Sequence, residues 1–150
     1  MVGYGATLYI EGKGFKPNLL LEYIPEDLRV EKVTEKGETI NLSRSRTSLA
    51  LESSILILNK INLTTNTEDI PKQNEAFIKF LEKQYSFIKK IGGEDISLWL
   101  YIYFSDEYVN TELFDKEQLK KLAIYDVSLP LTIIKMSKKK IKKLLILSTN

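Results

Sequence analysis

Neither cysteine nor histidine occurs among the 150 residues of this chain. Their absence removes several chemistries at once: cysteine nucleophiles, Ser-His-Asp triads, haem held by histidine and the usual zinc sites. Histidine is also the common general base near neutral pH, so any catalysis would fall to carboxylates, lysine or tyrosine. The expectation is a chain with no catalytic residue, no metal and no cofactor. No apolar run approaches the roughly 18 residues that span a bilayer. Met1-Val2-Gly3-Tyr4-Gly5 lacks the basic-then-apolar order of a secretory signal, which together with the missing cysteines points to the cytoplasm.

What is present is ordinary in amount and uneven in placement. The length suits one domain, and 43% hydrophobic with 28% charged residues is a globular composition. Six of the 22 basic residues fall at or after Lys135, and all 20 acidic residues lie before it. Residues 1–135 read as a single α/β domain with an acidic body. Residues 136–150 form a basic tail carrying Lys138, Lys139, Lys140, Lys142 and Lys143, expected to dock on that body, the alternative being a basic amphipathic segment attracted to anionic lipid or nucleic acid.

Ser97-Leu98-Trp99-Leu100-Tyr101-Ile102-Tyr103-Phe104 alternates with a period of two. Leu98, Leu100, Ile102 and Phe104 form an aliphatic face, and Trp99, Tyr101 and Tyr103 an aromatic one. Ala6–Glu11 alternates likewise, placing Thr7, Tyr9 and Glu11 on one side. Pro17 opens a short helix that stops before Pro25. Val30, Val33 and Ile40 fit edge strands around the Gly37 turn. Thr47–Leu51 and Ser54–Leu63 read as strand, bent near Ser53-Ser54.

Pro71–Ile91 is a helix, with Phe77, Leu81, Ile88 and Ile91 at helical spacing and Gly92-Gly93 at its end. Asp115 and Gln118 have the spacing of a capping box, with Phe114 and Leu119 placed for a hydrophobic staple, so a second helix runs from Lys116 to about Ala123. Tyr125–Lys135 is the last strand, at an edge or bulged at Pro130. The order implies an α+β two-layer sandwich: a mostly antiparallel or mixed sheet of about four to six strands, helices mainly on one face.

The glycine turn Gly12-Lys13-Gly14-Phe15-Lys16-Pro17, the segment Glu35-Lys36-Gly37-Glu38 and the block from Ala76 to Ile134 resemble a bacterial family known as domain of unknown function 4279. The likeness spans most of residues 5–135. The strand after the glycine turn here has Thr47-Ser48-Leu49 where the family often has tryptophan. The last strand has Leu131-Thr132-Ile133 where it often has aspartate. The resemblance implies an α/β fold with no settled activity. Because some relatives accompany toxin-immunity loci, it also implies a protein-binding role.

Four constellations remain to be weighed. Trp99, Tyr101 and Tyr103, with Tyr9 beside them, fit a stacking platform for single-stranded RNA, a partner-binding surface, or rings covered by the chain itself or by a second copy. The acidic body argues against nucleic acid, since Glu11 and Glu52 on that face would repel phosphates. Glu11, Glu52 and Asp126 would converge if alternation held throughout, yet spacing alone gives no carboxylate a raised pKa. Ser86-Phe87-Ile88-Lys89 matches S-x-x-K without its partner motifs, and Gly12-Lys13-Gly14 lacks the P-loop ending. The resulting expectation is a non-catalytic protein-binding module, of immunity or inhibitor type, with a toxin-like partner or a homodimeric state. The alternatives are a small-ligand-binding domain or a carboxylate-based enzyme, with nucleic-acid binding behind both.

Overall fold

The computed structural model describes residues 1–41, 48–60, 64–107 and 110–148. The expected strand ends at Thr47 and at 61–63 lie outside them. β1 (Val2–Gly12), β5 (Ser54–Lys60) and β6 (Asp95–Phe104) form the centre of a six-stranded sheet, with β1 antiparallel to both neighbours. β2 (Leu28–Thr34) closes one side antiparallel to β5. On the other side β7 (Val127–Ser128) and β8 (Leu131–Lys135) follow one another along β6, both parallel to it. The architecture is an α+β sandwich on a mixed sheet, as the element order implies.

β1 begins at Val2, four residues before the alternation is legible, because Gly3 and Gly5 interrupt it. Those glycines sit opposite Tyr103 and Tyr101 in the ladder, and a Cβ on Gly3 would come 3.1 Å from Ile141 Cγ2 and 3.7 Å from Tyr103 Cβ. β3 (Thr39–Asn41) and β4 (Ser48–Ala50) form a separate hairpin instead of joining the main sheet. The bend at Glu52 and Ser53 then carries the chain into β5.

The core lies between the sheet and α1 (Ile70–Lys90). Tyr4, Leu8 and Ile10 of β1, Leu56 and Leu58 of β5, and Leu98 of β6 are fully enclosed with Phe77, Ile78, Leu81 and Ile88 of the helix. Burial along β6 alternates as its sequence does: Leu98, Leu100 and Ile102 are buried and Trp99 is exposed. The turn after α1 runs through Gly92, which adopts φ +93°, and the chain returns so closely that a Cβ on Gly12 would fall 2.0 Å from the Gly92 carbonyl oxygen. The glycine turn is a packing requirement of this junction.

α2 (Lys116–Ile124) has the expected capping box: Asp115 accepts from Gln118 N, and the Gln118 side chain accepts from Asp115 N. Gln118 also donates to Pro71 O at 2.8 Å, tying α2 to the first turn of α1. Phe114 is buried but Leu119 is exposed, so the expected staple partner stays open. α3 (Lys138–Ser148) lies on the opposite face of the sheet, where Ile141 Cγ2 approaches Gly3 and Tyr103 flanks the same point.

Candidate functional site

The aromatic row is built by the β1–β6 register, which pairs Thr7 with Trp99 and Tyr9 with Ser97. Tyr9 and Trp99 are diagonal neighbours with ring centroids 5.6 Å apart at 54°. Trp99 is 38% exposed, and its Nε1 donates to Ser97 Oγ at 3.0 Å, so its polar tip is satisfied within its own strand. Burial pushes the Tyr101 phenol pKa up, and the neighbouring Tyr9 hydroxyl adds to the shift. Burial alone raises Tyr103. The row is therefore graded, from Trp99 open to water toward Tyr103 beside α3.

α3 presents one buried side chain among its described residues, Ile141, at 1% exposure. Lys138, Lys139, Lys140, Lys142 and Lys143 all point to solvent. Leu144 and Leu147 overhang the sheet and roof a cleft of about 330 Å³, whose floor and walls include Gly5, Thr7, Asn59, Tyr101 and Arg29.

The carboxylates do not assemble as alternation suggests. Glu11 is exposed and stands opposite Asp95, another carboxylate, in the β1–β6 ladder. Glu52 lies in the bend before β5, outside the main sheet, so no register places it beside Glu11. Asp126 is in the turn that ends α2, at φ 50°, and the last strand starts only at Val127 and breaks at Leu129-Pro130. The expected strand start at Tyr125 is therefore a turn whose backbone is left-handed at Asp126. Among the described residues, no three acidic side chains cluster closely enough to hold a metal ion.

A site that sequence reasoning missed lies along β8. Leu100 N donates to Pro130 O at 2.8 Å and Met136 N to Phe104 O at 2.9 Å, so even-numbered residues turn their backbone groups toward β6. In a parallel ladder this leaves the amides and carbonyls of Leu131, Ile133 and Lys135 facing outward. Among the described residues no strand pairs with that edge. Leu131 and Ile133 are 48% and 59% exposed although they share the helix-side face with Leu100 and Ile102. They border a hollow of about 380 Å³ whose lining is apolar at Ile102, Phe104 and Leu113 and polar at Glu107, Asn110 and Thr111. The apolar alternation of the last strand thus lies at the rim of the core.

The two sheet edges differ sharply. β2, at the opposite side, carries Arg29, Glu31 and Lys32, all exposed, and has a register shift between Val30 and Lys32. Charge and a bulge are the usual protection of an edge against pairing. β8 has neither along Leu131-Thr132-Ile133-Ile134, and only Pro130 and Lys135 bracket those four residues.

Comparison with protein-family models, with curated proteins and with solved structures finds no match. The functional reading rests on the chain's own geometry. No helix among the described residues is long and apolar enough to cross a membrane.

Proposed function

We propose that this protein is a non-catalytic module that binds another protein by accepting an extended segment at the β8 edge. The observation that carries the reading is the uncharged edge from Leu131 to Ile134, unpaired among the described residues. Outward backbone groups at Leu131, Ile133 and Lys135 supply the hydrogen bonds of strand addition, and the hollow beside Leu131 and Ile133 accepts alternate side chains of the incoming strand.

Charge favours an acidic partner. Lys135 ends the edge strand, and the five lysines of α3 follow within eight residues. An acidic segment that continues past Lys135 would gain from those cations, while Glu107 in the hollow favours an uncharged side chain there. The resemblance to family 4279 adds the proposal that the role is of immunity or inhibitor type, with a toxin as the partner. The carboxylate-enzyme alternative draws little support, since Glu11 faces Asp95 and Glu52 stands apart from both ladders.

The test is quantitative capture from native lysate with the wild-type chain and with Ile133→Lys. A stoichiometric partner that is retained by wild type and lost from the variant supports the reading. Capture that is unaffected by the variant, or no stoichiometric partner for either chain, overturns it.

A further inference from the structure

The cleft under α3 lies on the opposite face of the sheet from the β8 hollow and has its own chemistry. Its floor is β1 at Gly5 and Thr7, where one missing side chain leaves room above the strand. Tyr101 and Tyr103 form one wall, and Leu144 and Leu147 form the roof. The opposite wall is polar, made of Arg29, Asn59 and Lys60.

Arg29 and Asn59 present their side chains to the cleft, whereas Lys60 shares the helix-side face with its ladder partner Leu28. Lys60 Nζ is 2.8 Å from Asp27, a close ion pair. The Arg29 guanidinium reaches only to 3.9 Å from Glu31 and is half exposed, so it can turn to another anion. Between them Asn59 donates through Nδ2 to Glu31, while its Oδ1 is shielded from water and accepts no hydrogen bond. A buried acceptor without a donor is unfavourable, so the Asn59 side chain gains by turning Oδ1 toward a ligand that brings one.

The roof can yield to admit such a ligand. Ile141 is the only buried α3 side chain among the described residues, and Leu147 is 62% exposed two turns further on. The lysines of the first α3 turn also stand at the helix end where cations are unfavourable.

We infer that this cleft binds an amphipathic organic anion carrying one N–H or O–H donor: its acyl or aryl part lies between the tyrosines and Leu144–Leu147, its anionic group meets Arg29, and its donor meets Asn59 Oδ1. The volume, at the lower end for ligand sites, suits a medium-length chain or a pair of rings. This site is independent of the β8 edge.

N-decanoylglycine below its micelle-forming concentration is the probe, followed by calorimetry and by the NMR signals of the Asn59 side-chain amide and the Tyr101 ring. Two analogues separate the contacts: N-decanoylsarcosine lacks the N–H, and the methyl ester of N-decanoylglycine lacks the charge. The expected result is saturable binding that shifts both signals, with each analogue about tenfold weaker, a loss of about 1.4 kcal/mol. Arg29→Glu and Leu147→Asp, both at exposed positions, weaken the glycine compound by a similar factor, and Leu131→Lys leaves it unchanged. Absence of saturable binding up to millimolar concentration overturns the inference. So does equal affinity for all three compounds, or loss of binding in Leu131→Lys rather than in the cleft variants.

Discussion

Tyr4 donates its buried hydroxyl to Asn74 Oδ1 at 2.7 Å, and the same Asn74 side chain donates to Leu113 O at 2.8 Å. Strand β1, helix α1 and the loop leading to α2 thus meet at one fully satisfied polar pair inside an apolar core. Tyr4→Phe keeps the ring but leaves Asn74 Oδ1 without its donor, so a loss of about 1–3 kcal/mol is expected in urea unfolding. A variant as stable as wild type would show that the pair contributes nothing net.

The same tyrosine sets an alkaline limit. Burial raises its pKa well above the ordinary value of 10.0, with the Asn74 hydrogen bond opposing in part. The folded state therefore holds the phenolic proton at pH values where the unfolded chain releases it. The contribution to stability is complete below pH 10.0 and falls as pH rises toward the folded-state value. Thermal unfolding between neutral and strongly alkaline pH should show a steeper decline for wild type than for Tyr4→Phe. Parallel profiles would contradict this.

Gly12 is required by closeness rather than by its dihedral angles. A Cβ there would overlap the Gly92 carbonyl oxygen, which is backbone and cannot rotate aside. Gly12→Ala should cost about 1–3 kcal/mol or more through displacement of the α1–β6 turn. Gly14→Ala has open space around the added carbon and serves as the control, with a much smaller effect expected on the denaturant midpoint.

Removing the anchor of α3 should detach it from the sheet. Ile141→Ala deletes the one buried contact among its described residues, a change that costs about 2–5 kcal/mol when it falls in a core. α3 carries little other burial, so the expected readout is local: faster amide exchange over Lys138–Ser148 with β1 and β6 still protected. Uniform loss of protection across the whole sheet would instead make α3 part of the cooperative core.

Local signals were legible where one principle acted alone. The β6 alternation, the α1 stripe and the Asp115–Gln118 capping box each follow from backbone geometry and appear as their residues dictate. The aromatic row follows too, with Trp99 and Tyr9 paired across strands. What sequence pattern could not supply was which apolar face would be covered. Leu131 and Ile133 carry the same alternation as Leu100 and Ile102, but they reach beyond the helix layer. Glu52 and Asp126 failed for another reason: a bend and a turn interrupted the period that was to carry them to the Glu11 face. Gly3 and Gly5 concealed the start of β1 because a residue without a side chain contributes nothing to an alternating pattern.

The β8 edge is the centre of the functional proposal, and its most direct test is partner capture by chains differing only at Ile133. Ile133 is 59% exposed, so Ile133→Lys should leave the unfolding midpoint near that of wild type while placing a charge in the path of an incoming strand. The account expects wild type to retain one stoichiometric partner from native lysate and the folded variant to lose it. An equally complete capture by both chains, or none by either, would contradict it.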